Sequence, residues 1–298
     1  MVDGGDTRRW RGVAALRPGR LVILGQIGTA ALHAHHTVQI IVADEDMVLS
    51  DQSGERVVCR AAVVPPDVAH AVVRGASHGA LVHLDPESAP GRRWATLARP
   101  RDSAHGWACA AAELRLDALG EWLRAGQRVS DPSPDELSTG APSYALTAEA
   151  AAFVDWVCSA LASESEAEAE WVRVGAAGET VRHPAVAEVL RLLPERMSTG
   201  PVRLAELARA VHLSESRLAH VFSAELGLPF RPYLRWLRMQ RAAELLAAGL
   251  SLTEVAHEAG FADSAHLTRV CRSMFGAPPS EFNNLAWRGT LHPRPAHP

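Results

Sequence analysis

An internal repeat in the last third of the 298-residue sequence constrains the fold most strongly. Two sets of apolar residues show the i, i+3, i+4, i+7 spacing of a single helix face, and they begin 48 residues apart. The two sets are Leu204, Leu207, Ala208 and Val211, and Leu252, Val255, Ala256 and Ala259. The repeat predicts two short amphipathic helices that belong to two copies of one structural unit.

A second helix is predicted in each copy after a short turn. Ser214 and Asp263 are suited to cap its N-terminus, and Gly227 and Gly276 are suited to end it. Its apolar face consists of Leu218, Val221, Phe222 and Leu226 in the first copy, and of Leu267, Val270, Cys271 and Phe275 in the second. Each copy is therefore a helix-turn-helix unit. A helix over residues 232–248, opened by Pro232, is expected to join the two units as a rigid spacer.

The remaining face of each second helix carries side chains that suit a DNA duplex. Arg217 and His266 occupy equivalent positions in the two copies, as do His220 and Arg269. A recognition helix needs such polar and basic side chains to reach base edges and phosphates in the major groove. Two recognition helices held about 34 Å apart reach successive major grooves on one face of the duplex. The pattern predicts that one chain binds double-stranded DNA at two adjacent major grooves.

These residues resemble the DNA-binding domain of the AraC/XylS family of transcription regulators, over about residues 184–283. The most specific stretch is SLTEVAHEAGFADSAHLTRVCRSMFGAPPSEF, residues 251–282. The resemblance implies an all-α domain of seven helices with two helix-turn-helix motifs. Carried over by position, the DNA contacts would be made by Ser216, Arg217, Ala219 and His220, and by Ser264, Ala265, His266, Arg269 and Arg272.

Two of the implied contact residues are alanines, and three other positions depart from the usual pattern of that family. Ala219 and Ala265 can offer DNA only apolar contacts. His220 stands where arginine is frequent, His212 where the first turn often has glycine, and Cys271 where an aromatic residue is common. These departures affect individual contacts and leave the assignment of the domain intact.

Charge divides the chain near the point where the helical pattern begins. Residues 1–180 contain 16 arginines and 24 acidic residues, a net charge of −8, whereas residues 181–298 contain 14 arginines and 10 acidic residues, a net charge of +4. A basic surplus suits an approach to phosphates. We therefore expect a sensor and dimerisation domain over residues 1–180, a DNA-binding domain over residues 181–285 and a tail over residues 286–298.

The N-terminal part is predicted to contain β-strands followed by helices. Between residues 20 and 85, runs rich in valine, isoleucine and leucine alternate with glycine, aspartate, serine and proline. The runs are LVILGQI, TVQIIVA, RVVCRAAVV and HGALVHL. Helical patterns follow over Trp107–Leu123 and over Thr147–Leu161.

Histidines cluster within the predicted β-strands. The segment GTAALHAHHTVQI places His33, His35 and Gln39 on what is predicted to be one strand, and PPDVAHAV adds His70 after a proline-rich turn. Because side chains alternate along a strand, His33 and His35 would share a face. The arrangement resembles a cupin barrel. The predicted fold class is therefore α+β, with an N-terminal cupin-like β-barrel and flanking helices before the all-α domain.

Three interpretations of these histidines remain open. His33, His35 and His70 suit zinc, iron or another divalent metal; together with Gln39 they suit a small-molecule pocket; or they form a hydrogen-bonded structural cluster. Gln39 stands where metal cupins have an acidic ligand. The resemblance to AraC/XylS regulators implies a sensor that binds a small organic ligand, so a ligand pocket is expected and no cofactor is required.

Two functions follow from these features. The first is a transcription regulator whose small-molecule effector, bound in the barrel, changes how the N-terminal domain holds the DNA-binding domain. The alternative is a metal-dependent cupin enzyme, such as a dioxygenase or isomerase, with an appended DNA-binding domain. The first function implies contact with RNA polymerase and a homodimer. An apolar stripe on a predicted helix could pair two chains, and it consists of Leu116, Leu119, Trp122 and Leu123.

The sequence also bears on the compartment of the protein. It contains no apolar run near the roughly 20 residues that a membrane span requires. Its four cysteines lie far apart, without the spacing of a disulfide framework or a thiolate zinc site. We therefore expect a cytoplasmic chain that is not bound to a membrane.

Overall fold

The computed structural model describes residues 10–98, 100–113, 183–282 and 285–288, and its N-terminal part is a curled β-sheet. The strands are β1 (Arg11–Arg17), β2 (Arg20–Ile27), β3 (Ala30–His33), β4 (Val38–Asp51), β5 (Arg56–Val64), β6 (His70–Arg74), β7 (Ala76–Leu84) and β8 (Leu285–Arg288). The first seven pair in antiparallel fashion. In contrast, β8 lies parallel to β1, so residues that were predicted as the start of the tail join the N-terminal sheet.

The long strand β4 produces the curl of the sheet. It pairs with β5 along most of its length, with β7 over residues 38–43 and with β6 over residues 48–51. Because a strand has only two edges, β4 must pass from β7 to β6 along one of them, and the sheet turns there. A register shift between Val42 and Met47 accompanies the turn. The antiparallel, cupin-like β structure predicted from the sequence is confirmed, in the form of a half-barrel.

Two helices follow the sheet, α1 (Ala89–Leu97) and α2 (Ala104–Ala110). A 3-10 helix at Ala111–Glu113 continues α2. The predicted start of a helix at Trp107 was wrong. The helix α2 begins three residues earlier, at Ala104, where the side chain of Ser103 caps it. The rest of that prediction and the helix over Thr147–Leu161 lie outside the described residues, as do Leu116, Leu119, Trp122 and Leu123.

The C-terminal domain contains the seven predicted helices. Six are α-helices: α3 (Pro184–Thr199), α4 (Leu204–Ala210), α5 (Glu215–Leu226), α6 (Phe230–Ala247), α7 (Leu252–Glu258) and α8 (Ser264–Phe275). The seventh is a 3-10 helix at Pro279–Phe282. The spacer helix α6 begins two residues before Pro232, which lies in its first turn. Among the described residues, no helix combines the length and the apolar character that crossing a membrane requires.

The helix ends lie where the repeat predicted them. Ser214 accepts a hydrogen bond from the amide of Arg217 at the start of α5, and Asp263 accepts one from His266 at the start of α8. Gly227 and Gly276 end these helices in the left-handed conformation. The turn in the first unit, between α4 and α5, places His212 at a φ of 55°, a conformation that favours glycine.

The described residues form two apolar cores. The smaller core joins α3, α4, α5 and the start of α6 through Val186, Leu193, Leu207, Leu218, Phe222 and Phe230. The larger core contains the β-sheet, α1 and α2, and also residues of α6, α7 and α8 such as Trp236, Val255, Leu267 and Phe275. The first helix-turn-helix unit therefore has a core of its own, whereas the second shares one with the sheet.

Candidate DNA interface and interdomain cavity

The first recognition helix, α5, presents the predicted contact residues on its open side. Ser216, Arg217 and His220 are exposed, and Ala219 is partly exposed. The opposite face of the helix is fixed by Leu218, Val221, Phe222 and Leu226, which are all buried. The burial of one face orients the polar face outward, as a recognition helix requires.

The second recognition helix, α8, has the same arrangement in its N-terminal part. Ala265, Arg269 and Arg272 are exposed, whereas Ser264 and His266 are partly buried. The Nδ1 atom of His266 accepts a hydrogen bond from the amide of Ala262 at 3.2 Å, and its ring packs edge-on against Phe261. This ring is therefore held in place before any DNA arrives, unlike the long side chains of Arg269 and Arg272.

The C-terminal end of α8 is bound to the β-sheet domain. The amide of His36 donates to the carbonyl of Ser273 at 2.6 Å, and Thr37 Oγ1 donates to the carbonyl of Met274 at 2.7 Å. The last carbonyls of a helix lack partners within the helix. The loop between β3 and β4 supplies those partners here, so the position of α8 depends on the conformation of that loop.

A second contact joins α6 to the sheet domain. Trp236 is fully buried, and its Nε1–H donates to Asp85 Oδ2 at 2.7 Å. Arg235 lies 3.7 Å from the same carboxylate oxygen. Because Asp85 is also buried, removal of the indole donor would leave a carboxylate oxygen poorly compensated inside the protein.

A cavity of about 250 Å³ lies between the sheet and the end of the second helix-turn-helix unit. Its walls include His33, Gln39, Leu81 and His83 from the sheet domain, and Phe275 and Phe282 from the C-terminal domain. The walls thus combine hydrogen-bonding groups with apolar surface, as small-molecule pockets do. A molecule bound in this cavity would touch both domains.

The structure brings the predicted histidines together, although not in the predicted way. His33 ends β3 and lies opposite His70 in the β3–β6 pairing, and Gln39 lies on β4. The prediction that His33, His35 and Gln39 share one strand was wrong, because Gln39 lies on β4 and His35 on neither strand. The strand ends at His33, so His35 lies in the following loop, where the alternation of strand side chains does not apply. The rings of His35 and His70 still lie 4.9 Å apart.

Hydrogen bonds to the main chain orient the three predicted histidines. The Nδ1 atoms of His33, His35 and His70 lie 2.7, 3.0 and 3.0 Å from the carbonyl oxygens of Ala31, Thr37 and Val68. Because a carbonyl oxygen only accepts, each Nδ1 carries a proton, and in a neutral ring the lone pair then lies on Nε2. His35 Nε2 lies 3.3 Å from Gln39 Oε1.

A fourth histidine, His83, links the cluster to α8. Thr37 uses its single hydroxyl proton toward Met274, so it accepts from His83 Nδ1, which lies 2.7 Å away. Neither His83 nor Thr37 was among the site residues predicted from the sequence. Alternation along β7 places His83 on the same face as Leu81, and both line the cavity, so this period-two pattern was the signal that could have revealed His83.

Burial favours the neutral form of His35, His70 and His83. Burial and repulsion from His33 together lower the pKa of His35 to about 4, although hydrogen bonds raise it. Burial, with repulsion between neighbouring histidines, also lowers the pKa values of His70 and His83 well below the usual value. Neutral imidazoles can accept a hydrogen bond or bind a metal ion through their free nitrogen.

Comparison with known proteins finds a match in the C-terminal part of the chain. Residues 207–284 match the family described as "Helix-turn-helix domain". An uncharacterized helix-turn-helix-type transcriptional regulator, YfiF, of Bacillus subtilis is 37% identical over 87 residues, which are 28% of this chain and 27% of that protein. The arabinose operon regulatory protein of Escherichia coli is 30% identical over 114 residues, which are 37% of this chain and 39% of that protein. The chain thus matches well under half of the length of these relatives.

Among solved structures, ToxT from Vibrio cholerae is similar over 89% of this chain and 98% of that chain. Its sequence identity is 12% and the TM-score is 0.41.

Proposed function

Because the C-terminal domain is a helix-turn-helix domain of the AraC/XylS type, we propose that the chain is a transcription regulator that binds specific DNA sequences and is controlled by a small effector. The observation that carries the proposal is the pair of outward-facing recognition surfaces on α5 and α8. The proposed DNA contacts are Ser216, Arg217, Ala219 and His220, and Ser264, Ala265, His266, Arg269 and Arg272. The partner is double-stranded DNA at two adjacent major grooves.

The effector is proposed to occupy the interdomain cavity. His33, Gln39 and His83 offer hydrogen bonds there, and Phe275 and Phe282 offer apolar contact. The ligand is therefore a small molecule with a polar group and an apolar part. Because the β3–β4 loop holds the last carbonyls of α8, a ligand that shifts this loop also shifts the second recognition helix.

A regulatory role accounts for the histidine cluster without catalysis. The named relatives are transcription regulators, and the cluster lies beside the contact between the domains rather than in a separate cleft. We therefore propose a regulator without enzymatic activity. We also propose that the protein acts in the cytoplasm. Its homodimer and its contact with RNA polymerase are predictions for sedimentation and for transcription assays in vitro.

DNA binding is tested by fluorescence anisotropy on the DNA upstream of the gene and on random duplex, at two salt concentrations. We expect tighter binding to the upstream DNA, with discrimination that survives the higher salt, because phosphate contacts weaken with salt more than base contacts do. For arginine-to-alanine variants of the recognition helices, Arg191→Ala on α3 is the charge-matched control, since Arg191 is exposed but lies outside both helices. Equal, salt-sensitive binding to both duplexes would contradict the proposal.

A further inference from the structure

We propose that His33, His35 and His70 bind a divalent transition-metal ion, and that the ion changes the docking of α8 on the β-sheet domain. The first half stands on the geometry of the cluster alone. The second half rests on the proposed function, because it makes the ion an effector, or part of one, for DNA binding.

The three histidines are arranged as ligands before any ion is present. One ring nitrogen from each lies within 4.8 Å of the other two. Their Nδ1 atoms are all engaged by main-chain carbonyls, so Nε2 is the nitrogen that each ring would offer to an ion, and on His35 this atom already lies 3.3 Å from Gln39 Oε1. Metal-binding histidines have this pattern, in which the second nitrogen donates to a carbonyl and fixes the ring.

One ring nitrogen of the cluster has no hydrogen-bond partner in the part of the chain that the structure describes. His70 is fully buried, and its Nε2 atom has no hydrogen-bond partner among the described residues. A buried nitrogen without a partner is unfavourable, and a metal ion would satisfy its lone pair. A purely structural cluster, in contrast, would be expected to pair this atom.

The donor set selects the class of ion. Neutral imidazoles suit zinc, copper, iron and nickel rather than magnesium or calcium. The side-chain oxygen of Gln39 lies 3.3 Å from His35 Nε2, so it is near enough to contribute a further, neutral donor. His33 and Gln39 also line the interdomain cavity, so an ion held by this set would lie at the cavity wall.

Binding of the ion would change the contacts at the C-terminal end of α8. Ligand nitrogens in a tetrahedral site with bonds of about 2.1 Å lie roughly 3.4 Å apart, so the cluster must contract. His35 and His70 are buried, and His33 is the partly exposed member that has room to move. Its ring lies against Gly276, where an added Cβ would stand 2.7 Å from Nε2. Contraction therefore alters the contact between the β3–β4 loop and the last residues of α8.

Metal binding is tested on the full, untagged chain after treatment with a chelator. Zinc is titrated by calorimetry, bound zinc is counted by elemental analysis, and cobalt serves as a spectroscopic probe of the ligand set. Wild type and His36→Ala, which removes a neighbouring imidazole outside the cluster, are expected to bind one zinc per chain. His33→Ala and His70→Gln should bind zinc more weakly by over about 100-fold, beyond the loss that outer-shell changes cause.

Two results would overturn the metal site: wild type that binds no stoichiometric zinc, or equal zinc affinity in all four proteins. Circular dichroism checks the fold of each variant. If His70→Gln fails to fold, His33→Ala decides the question, because His33 is only partly buried.

Coupling is tested in the same proteins by hydrogen exchange at the amide of His36, which donates to the Ser273 carbonyl on α8. Zinc should change its exchange rate, and the affinity for upstream DNA, by at least about fivefold in wild type but not in His33→Ala. Zinc binding without either change would overturn the coupling. If zinc binds and changes the exchange rate but the protein binds no specific DNA, the metal site is supported and the proposed function is contradicted.

Discussion

The two helix-turn-helix units share a sequence pattern but differ in what surrounds them. The first unit encloses its own core, formed by α3, α4, α5 and the start of α6. The second unit shares its core with the β-sheet, and its last helical carbonyls are bound by His36 and Thr37 of the sheet domain. The same local motif is thus an independent unit in one place and part of a larger body in the other.

Under the proposed function, this difference would give the two units different roles in regulation. A unit with its own core keeps its shape whatever the sensor does, so it can anchor the chain on one major groove. A unit whose recognition helix is bound to the sensor can be moved by a ligand there. Control of DNA binding is therefore expected to act through α8 rather than α5.

The largest expected effect comes from removing one core phenylalanine from each unit. Phe222→Ala and Phe275→Ala should each destabilise their core by about 3–5 kcal/mol. Phe222→Ala should lower the melting temperature of the helical circular-dichroism signal, whereas the part of the tryptophan fluorescence that comes from Trp94, Trp107 and Trp236, buried in the shared core, should melt as in wild type. Phe275→Ala should shift both signals. If the helical signal and the tryptophan fluorescence melt together in both variants, the two cores do not unfold independently.

Glycines that end the two recognition helices offer a matched pair. Both Gly227 and Gly276 have positive φ, so alanine adds backbone strain at either position. At Gly276 the new Cβ also overlaps the ring of His33, which lies in the sheet domain. We expect Gly276→Ala to cost about 2–4 kcal/mol and Gly227→Ala about 1–2 kcal/mol in unfolding free energy. Denaturant titration measures both, and equal costs would show that His33 does not press on α8.

The exposed arginines of the two recognition helices should differ in their response to effector. Arg269→Ala is expected to weaken binding to the cognate site by about 1–3 kcal/mol, and to weaken binding to random DNA less, if Arg269 contacts a base. Arg217→Ala removes the exposed arginine of the recognition helix in the independent unit and serves as the comparison. Anisotropy should show that effector alters the penalty at Arg269 and leaves that at Arg217 unchanged. Equal losses on cognate and random DNA would reassign Arg269 to phosphate contact.

The smallest expected effect concerns the turns within the two units. His212 in the first unit has a φ of 55°, and Gly260 in the second has a φ of 78°. His212→Gly should stabilise the first unit by up to about 1 kcal/mol, because glycine adopts this conformation without strain. Gly260→Ala should have the opposite sign, because alanine is strained at this φ, and the effect stays small because the nearest atom to the new Cβ, Arg238 Nε, is 3.4 Å away and does not clash. Chemical denaturation measures both, and destabilisation by His212→Gly would refute the strain at that turn.

Much of the C-terminal domain could be predicted because its signals are local. The caps at Ser214 and Asp263 and the glycines at Gly227 and Gly276 act within one helical turn, so sequence spacing is enough to place them. The contacts that join α6 and α8 to the β-sheet domain are not local. Thr37 and Met274 are 237 positions apart, and Trp236 and Asp85 are 151 positions apart. No spacing rule relates such residues, and their contact depends on how whole domains pack.

The candidate effector site was predicted only in part for a related reason. His33 and His70 lie on strands as the sequence indicated, but the predicted single strand breaks after His33, so His35 reaches the cluster from a loop and Gln39 from the next strand. The wall formed by Phe275 and Phe282 comes from the other domain, so nothing in the N-terminal sequence indicated it.

Native-state hydrogen exchange in low concentrations of denaturant tests the central difference between the two units most directly. The amides of α8 and α6 near Trp236 should exchange with the same opening free energy and denaturant dependence as those of β4 and β7, because they share a core. The amides of α5 should open separately. If α5 and α8 instead open together, apart from the sheet, the two units form one body and the sensor does not control the second of them selectively.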